Sequence, residues 1–243
     1  MIIKLALWSA FVYAPFLPHA LLVMTEFIAP PCLENIEILF QDEHLLLINK
    51  PSGLLSLSGK NPLNIDSVHY RLVKDYPGCT LVHRLDFGTS GIMLVALNKQ
   101  INGLLTQQFQ NGLVDKTYTA ILLGEMPSHQ GDIKLPIAKD DFPLMKICHI
   151  SGKAAHSHYQ VIDSEHITGG QQVTKVTFTP ITGRTHQLRI HSQQIGHPII
   201  GCDLYPIGQS QSMANRLMLH ATSLSFIHPV SGERMNTQCI SPF

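Results

Sequence analysis

One stretch constrains this chain more than any other: Val82-His83-Arg84-Leu85-Asp86-Phe87-Gly88-Thr89-Ser90-Gly91-Ile92-Met93-Leu94-Val95-Ala96. Its second half is an unbroken apolar run and reads as a buried strand. Gly88 and Gly91, with Thr89 and Ser90 between them, mark a tight loop before it. Just ahead of that loop stand His83, Arg84 and Asp86. Charges at the entrance of a buried strand need partners to compensate lost hydration. Asp86 therefore reads as a carboxylate held at the lip of a sheet, where it can meet a substrate. The competing reading is an Arg-Asp pair that only closes the loop.

A second stretch, Thr182-Gly183-Arg184-Thr185-His186-Gln187-Leu188-Arg189-Ile190-His191, brings two arginines and two histidines to the start of an expected helix. Thr182 is its expected N-cap, and Gly196 before His197-Pro198 its stop. His186, His191 and His197 invite a metal reading. Their spacing is neither H-E-x-x-H nor a finger pattern, and no cysteine lies in register, so no metal site is expected.

With these motifs the chain resembles the RluA-type pseudouridine synthases, which isomerise uridine within RNA. The resemblance is carried by an ordered set: Asn49-Lys50-Pro51-Ser52-Gly53-Leu54-Leu55-Ser56; His83-Arg84-Leu85-Asp86 with Thr89-Ser90-Gly91; Lys116-Thr117-Tyr118-Thr119-Ala120. It continues with Gly183-Arg184-Thr185-His186-Gln187-Leu188-Arg189, Gly196-His197-Pro198-Ile199 and Leu219-His220-Ala221. It runs from about Ile36 to the C-terminus. Each motif alone is weak, and the ordered set is specific.

The resemblance implies a mechanism. The bond from C1′ to N1 breaks, the uracil turns, and C1′ joins C5. No redox change occurs, so no cofactor or metal is implied. The chemistry needs a positioned carboxylate, which attacks as a nucleophile or removes a ribose proton. By resemblance that group is Asp86, and sequence leaves open whether it attacks C1′ or acts through a glycal. Arg189 matches the arginine that pairs with it, lowering its pKa and fixing its orientation. Tyr118 matches the tyrosine that stacks on the flipped uracil, its hydroxyl near C5. Arg84 is placed to fill the space the flipped base vacates, its guanidinium stacking on bases; the alternative is a salt bridge to Asp86. His83, Arg184 and Lys50 complete the expected RNA-facing set, Arg184 touching phosphate or capping its helix and Lys50-Pro51 walling the space beneath the tyrosine. A protein of the same fold that binds RNA without catalysis is the rival reading. Asp86, Tyr118 and Arg189 together weigh against it, because binding alone needs none of them.

Composition neither adds to nor removes this reading. Formal net charge is +0, so no basic footprint marks a nucleic-acid partner, although the 14 histidines add local charge if some titrate. Five scattered cysteines without a C-x-x-C argue against a disulfide framework and fit a reducing cytoplasm. The N-terminus conflicts with that placement. Apolar runs from Leu5 to Val12 and from Phe16 to Val23 read as a signal-peptide core or a short anchor, but Pro15 and Pro18 break any spanning helix. Translation starting at Met24, or a dispensable tail, is the favoured reading. The expected organisation is an extension over residues 1–33 and one catalytic domain over 34–243, monomeric, cytoplasmic, and without membrane contact. The segment before Ile36 is too short for the S4-type RNA-binding domain of the ribosomal subgroup. With the Gln41-Asp42-Glu43-His44 hairpin and the Asn49 to Ser56 run, the chain resembles most the dual-specificity branch, which modifies large-subunit rRNA and the tRNA anticodon stem-loop. A purely ribosomal or purely tRNA-directed member is the alternative.

The expected fold is α+β with a mainly antiparallel sheet, because strands outnumber helices and do not alternate with them. A hairpin is expected over Ile36–Phe40 and Leu45–Ile48. A helix is expected through Ile65, Val68, Leu72, Val73 and Tyr76, capped by Asn61 or Asn64, and another through Ile101, Leu104, Leu105 and Phe109. Further strands are expected at Ile92–Leu97, Tyr118–Leu123, Val173–Thr179, Leu217–Ala221 and Leu224–Ile227, with a last one after Pro229-Val230-Ser231-Gly232. Residues 124–155 read as an insertion or a set of loops on the sheet.

Overall fold

The computed structural model describes residues 27–166 and 170–243. The apolar runs before Met24, and Met24 itself, lie outside the described residues.

Strands β1 (Glu37–Gln41) and β2 (Leu45–Lys50) form the expected hairpin. Asp42 shapes its turn, one carboxylate oxygen accepting from the backbone N–H of His44 and Leu45 at 2.7 and 2.8 Å. A 3-10 turn at Pro62–Asn64 precedes α1 (Val68–Leu72). The helix expected from Ile65 to Tyr76 is therefore shorter, and its cap is Ser67, whose hydroxyl accepts from the Tyr70 N–H. Asn61 caps the 3-10 turn instead. Val68 and Leu72 are buried while Ile65 is half exposed, so little more than one turn has an apolar face to dock.

The chain continues through β3 (Thr80–Leu81), β4 (Ser90–Ala96), α2 (Lys99–Gln110, capped by Asn98) and β5 (Asp115–Leu123). Next come β6 (Gln130–Ile133), β7 (Ile137–Lys139) and β8 (Met145–Ile147). The segment expected as loops thus contains an edge strand and a separate two-stranded hairpin. In β6 only Ile133 is buried, so no alternation marks the strand in sequence. The remaining elements are β9 (Ser157–His166), β10 (Gln172–Pro180), α3 (Gln187–Gln194), β11 (Leu219–Ile227) and β12 (Arg234–Gln238). The two runs on either side of Thr222 are one strand, with a register irregularity between Ala221 and Ser223.

Ten strands form one sheet ordered β1-β2-β4-β11-β5-β10-β9-β6, with β3 on β4 and β12 on β11. The pairing is antiparallel except where β4 meets β11, and the architecture is α+β as expected. That parallel contact is confined to Ser90 opposite His220 and Gly91 opposite Ala221. Beyond it the two strands splay, β3 pairing with the end of β4 and β12 with the end of β11. Gly91 is required at the junction: a Cβ there would lie 2.3 Å from the Ala221 carbonyl oxygen.

Strands β2 and β4 are buried on both faces, which is why they read as continuous apolar runs. Leu45, Leu47, Ile92 and Leu94 pack with α2 and Phe226, while Leu46, Ile48, Met93 and Val95 pack with α1. Each such side chain contributes about 1.5–3 kcal/mol by leaving water. A third core cluster lies between β5, β9, β10 and α3, around Leu122, Phe178 and Ile190.

The buried His220 sits at the β4–β11 junction, its Nδ1 2.8 Å from the Ser90 hydroxyl. Desolvation, with Arg216 adding to it, draws its pKa from 6.5 to about 4. The unfolded chain therefore binds this proton at a higher pH than the folded one. Its stabilising contribution is complete above pH 6.5 and is lost as pH falls towards 4, by up to about 3 kcal/mol. Urea unfolding at pH 7.5 and 4.5 should show this loss in the wild type and a smaller one in His220→Asn. Equal losses in the two proteins would remove His220 from the account of acid sensitivity.

Candidate active site

A single register row runs across the sheet and places the site. Lys50 in β2 stands opposite Gly91 in β4, Gly91 opposite Ala221 in β11, and Ala221 opposite Tyr118 in β5. Asp86 lies in the loop between β3 and β4, just before this row. Arg189 comes from α3.

The loop carrying Asp86 is bracketed by the segment after β2. Ser56 Oγ donates to the Leu85 carbonyl at 2.6 Å, Ser52 Oγ to that of Gly88 at 2.7 Å, and the Gly53 N–H to that of Phe87 at 2.9 Å. Lys50 is fully buried, and its Nζ donates to the carbonyls of Pro51, Leu54 and Phe87. Burial draws its pKa down to about 7, with the Asp86 charge among those opposing the shift. Three carbonyl acceptors match the three protons of an ammonium. Lys50 is thus a buried tie beneath the loop and presents no free donor to an RNA.

Arg189 is almost completely buried and spends each of its nitrogens on a different partner. Nη1 lies 3.4 Å from Asp86 Oδ2, Nη2 lies 2.5 Å from Asp203 Oδ1, and Nε donates to Cys202 Sγ at 3.4 Å. Its guanidinium also lies over the Tyr205 ring. Asp86 has a second neighbour in His186, whose Nε2 is 3.9 Å from the same Oδ2. Tyr118 lies close enough to feel the Asp86 charge. Burial first, and that charge second, raise its pKa, so its hydroxyl remains protonated.

The matched family model is RNA pseudouridylate synthase, over residues 44–194. The chain is 43% identical over 212 residues to the dual-specificity RNA pseudouridine synthase RluA of Vibrio vulnificus strain CMCP6, covering 86% of this chain and 84% of that one. It is 39% identical to the RluA of Escherichia coli strain K12, covering 88% and 97%. The chain belongs to the RNA pseudouridylate synthase family. The solved structure of human RNA pseudouridylate synthase domain containing 1 superposes with a TM-score of 0.73 at 30% identity, over 88% of this chain and 86% of that one. This is therefore an enzyme that isomerises uridine in RNA, and the reading of an RNA-binding protein without catalysis falls away.

The other residues that sequence assigned to this pseudouridine synthase site are dispersed. Arg84 is exposed, and among the described residues no ion pair joins it to Asp86. The loop-closing Arg-Asp pair is thus absent. His83 turns inward: its Nε2 accepts from the Leu94 N–H at 3.0 Å, and its ring stacks on Phe109 at 4.9 Å. Desolvation, with Lys116 adding to it, draws its pKa to about 4. It anchors the loop from below instead of facing RNA. Arg184 stands before α3, and its Nε donates to the carbonyl of Ala154, a residue outside any helix, at 3.0 Å. Thr182 is not the N-cap of α3 either. Its hydroxyl donates to Gln187 Oε1, an acceptor that also takes the Arg184 N–H, while His186 occupies the cap position.

The three histidines of the metal reading are each engaged elsewhere. His186 contacts Tyr205, His191 contacts Ser157 and the Leu135 carbonyl, and His197 contacts the Leu123 carbonyl. Sequence reading missed Cys202, Asp203 and Tyr205 as neighbours of Arg189. The available signal was an Asp and a Tyr two residues apart beyond Gly201. A Cβ on Gly201 would lie 1.9 Å from the Arg216 carbonyl, so only glycine admits the close approach that seats this segment.

Proposed function

We propose that this enzyme converts uridines in large-subunit rRNA and in the tRNA anticodon stem-loop, with Asp86 as the reacting carboxylate, Arg189 as its partner and Tyr118 against the uracil. The observation that carries the reading is the convergence of these three side chains from a loop, a helix and a central strand. The two relatives described above bear dual-specificity names, which supports two RNA classes. Mapping pseudouridines in total RNA from cells with and without the gene tests it. Losses in both rRNA and tRNA are expected, and an unchanged map in either class would remove that substrate.

Arg84, exposed and free of Asp86, is proposed to fill the gap left by the flipped base. Unstacking costs a few kcal/mol in a structured stem and less in a flexible oligonucleotide. Arg84→Ala should therefore slow single-turnover conversion of a stem-loop roughly 10-fold more than that of a short unstructured RNA. An equal loss on both would withdraw the flipping role.

The enzyme is proposed to act in the cytoplasm from a start at Met24. Among the described residues no helix is long and apolar enough to cross a membrane. Residues 27–34 contact the domain directly: Asn64 bonds the Phe27 carbonyl and the Ala29 N–H, and Arg71 bonds the carbonyls of Cys32 and Glu34. The Phe27 ring packs edge-on against Phe87, next to Asp86. This favours a domain edge before Phe27 over one at residue 34. A chain beginning at Met24 should keep full activity, and one beginning at residue 34 should lose several-fold in rate. Full activity of the shorter chain would restore the later edge.

A further inference from the structure

Among the described residues, His186 is the one non-glycine position with positive φ, at 55°. It fills the cap position of α3 but makes no side-chain capping bond. N-caps are ordinarily extended residues whose side-chain oxygen accepts a helix N–H. A strained backbone of this kind persists where the surroundings hold it, and such positions cluster at functional sites. This conformation carries the His186 ring between two groups of the site. Nδ1 is 2.7 Å from the Tyr205 hydroxyl, and Nε2 is 3.9 Å from Asp86 Oδ2.

The neighbours fix the tautomer. Tyr205 oxygen accepts the Met145 N–H at 2.9 Å, and among the described residues its own proton has no acceptor other than Nδ1. Nδ1 therefore accepts, and the ring proton sits on Nε2, facing Asp86. Arg189 Nη1 faces the same Oδ2. Arg189 thus bonds this oxygen and the His186 Nε2–H faces it from 3.9 Å, just beyond hydrogen-bond reach, so both approach one carboxylate oxygen and leave Oδ1 for the substrate.

We propose that His186 is a positioning residue for the isomerisation: its neutral Nε2–H, oriented by Tyr205 and poised 3.9 Å from Asp86 Oδ2, closes to a hydrogen bond when RNA binds, holding that oxygen beside Arg189 and turning Oδ1 towards the ribose. This rests on the reading of Asp86 as the reacting carboxylate. The groups facing His186 are Asp86 from the β3–β4 loop, Arg189 from α3, and Asp203 and Tyr205 from the segment after it. Desolvation and Arg189 lower its pKa, and Asp86 and Asp203 oppose them without reversing the direction. The ring is then neutral at pH 7. Protonating it sets a second cation on Asp86, and activity falls on the acid side.

Single-turnover rates, RNA dissociation constants and pH profiles of His186→Gly, His186→Gln and Tyr205→Phe test this, with Asp86→Asn in parallel. Glycine adopts the same φ freely, so the backbone course is kept while the donor is lost. His186→Gly should be roughly 10- to 100-fold slower, the factor of one hydrogen bond to a charged group, with unchanged RNA affinity. Glutamine supplies an N–H and should restore most of the rate. In Tyr205→Phe, Nδ1 loses its donor, the neutral ring is less favoured, and the acid limb should move to higher pH. A full rate for His186→Gly beside an inactive Asp86→Asn would overturn the proposal. Equal slowing by Gly and Gln with no shift in Tyr205→Phe would also overturn it, leaving His186 a packing residue. An active Asp86→Asn would overturn the carboxylate reading itself.

Discussion

Replacing Asp86 with asparagine is expected to lower pseudouridine formation by at least about 10⁴-fold, the scale seen when a reacting group is deleted, while RNA affinity changes little. The two side chains have nearly the same shape, and the amide oxygen can still accept from Arg189 Nη1. The loop is held by backbone carbonyls of Leu85, Phe87 and Gly88, none of which the substitution touches. What disappears is the negative charge, and with it both routes open to a carboxylate, attack at C1′ and removal of a ribose proton. Single-turnover assays together with filter binding separate the two effects. Turnover within 10-fold of wild type would end the proposed mechanism.

Arg189→Ala is expected to act on chemistry and stability together, because one buried side chain ties three partners. Asp86, Asp203 and Cys202 all lose their contact with it. Breaking a fully buried ion pair costs on the order of 3–5 kcal/mol. Both carboxylates here are partly open to solvent, and water can take over some of the lost contact. The stability loss should therefore fall below that range, at about 1–3 kcal/mol. The rate loss should be larger, roughly 10²- to 10³-fold or about 3–4 kcal/mol, because solvation does not restore the carboxylate's orientation. It should be equal on stem-loop and oligonucleotide, unlike the loss for Arg84→Ala. Lysine at this position keeps the charge but not the three-way fork, and should recover little. A rate loss confined to the structured RNA would assign Arg189 to base flipping instead.

Much of the framework was legible because its cause is local. The β1–β2 hairpin follows from two apolar runs and Asp42 between them. Strands β2 and β4 are buried on both faces and so appear as unbroken apolar runs. Asp86 stood out because a charge at the mouth of such a strand needs an explanation. Elements with weak local signatures were misread. β6 buries one side chain in four residues, and β7 and β8 are three residues each. The start of α3 was placed at Thr182 from its cap propensity, but Gln187 takes the Thr182 hydroxyl and the Arg184 N–H.

The sequence by itself determined the family, the sheet's buried strands, and the loop and helix that carry Asp86 and Arg189, because motif order and hydrophobic period are properties of neighbouring residues. Only the tertiary structure decided what those side chains face. It turned His83 inward onto Phe109, buried Lys50 under three carbonyls, separated Arg84 from Asp86, and brought Asp203, Tyr205 and His186 around Arg189. Such contacts join residues up to about a hundred positions apart. Their geometry is set by the close approaches at Gly91 and Gly201 and by the competition of buried polar groups for partners, neither of which leaves a periodic trace along the chain.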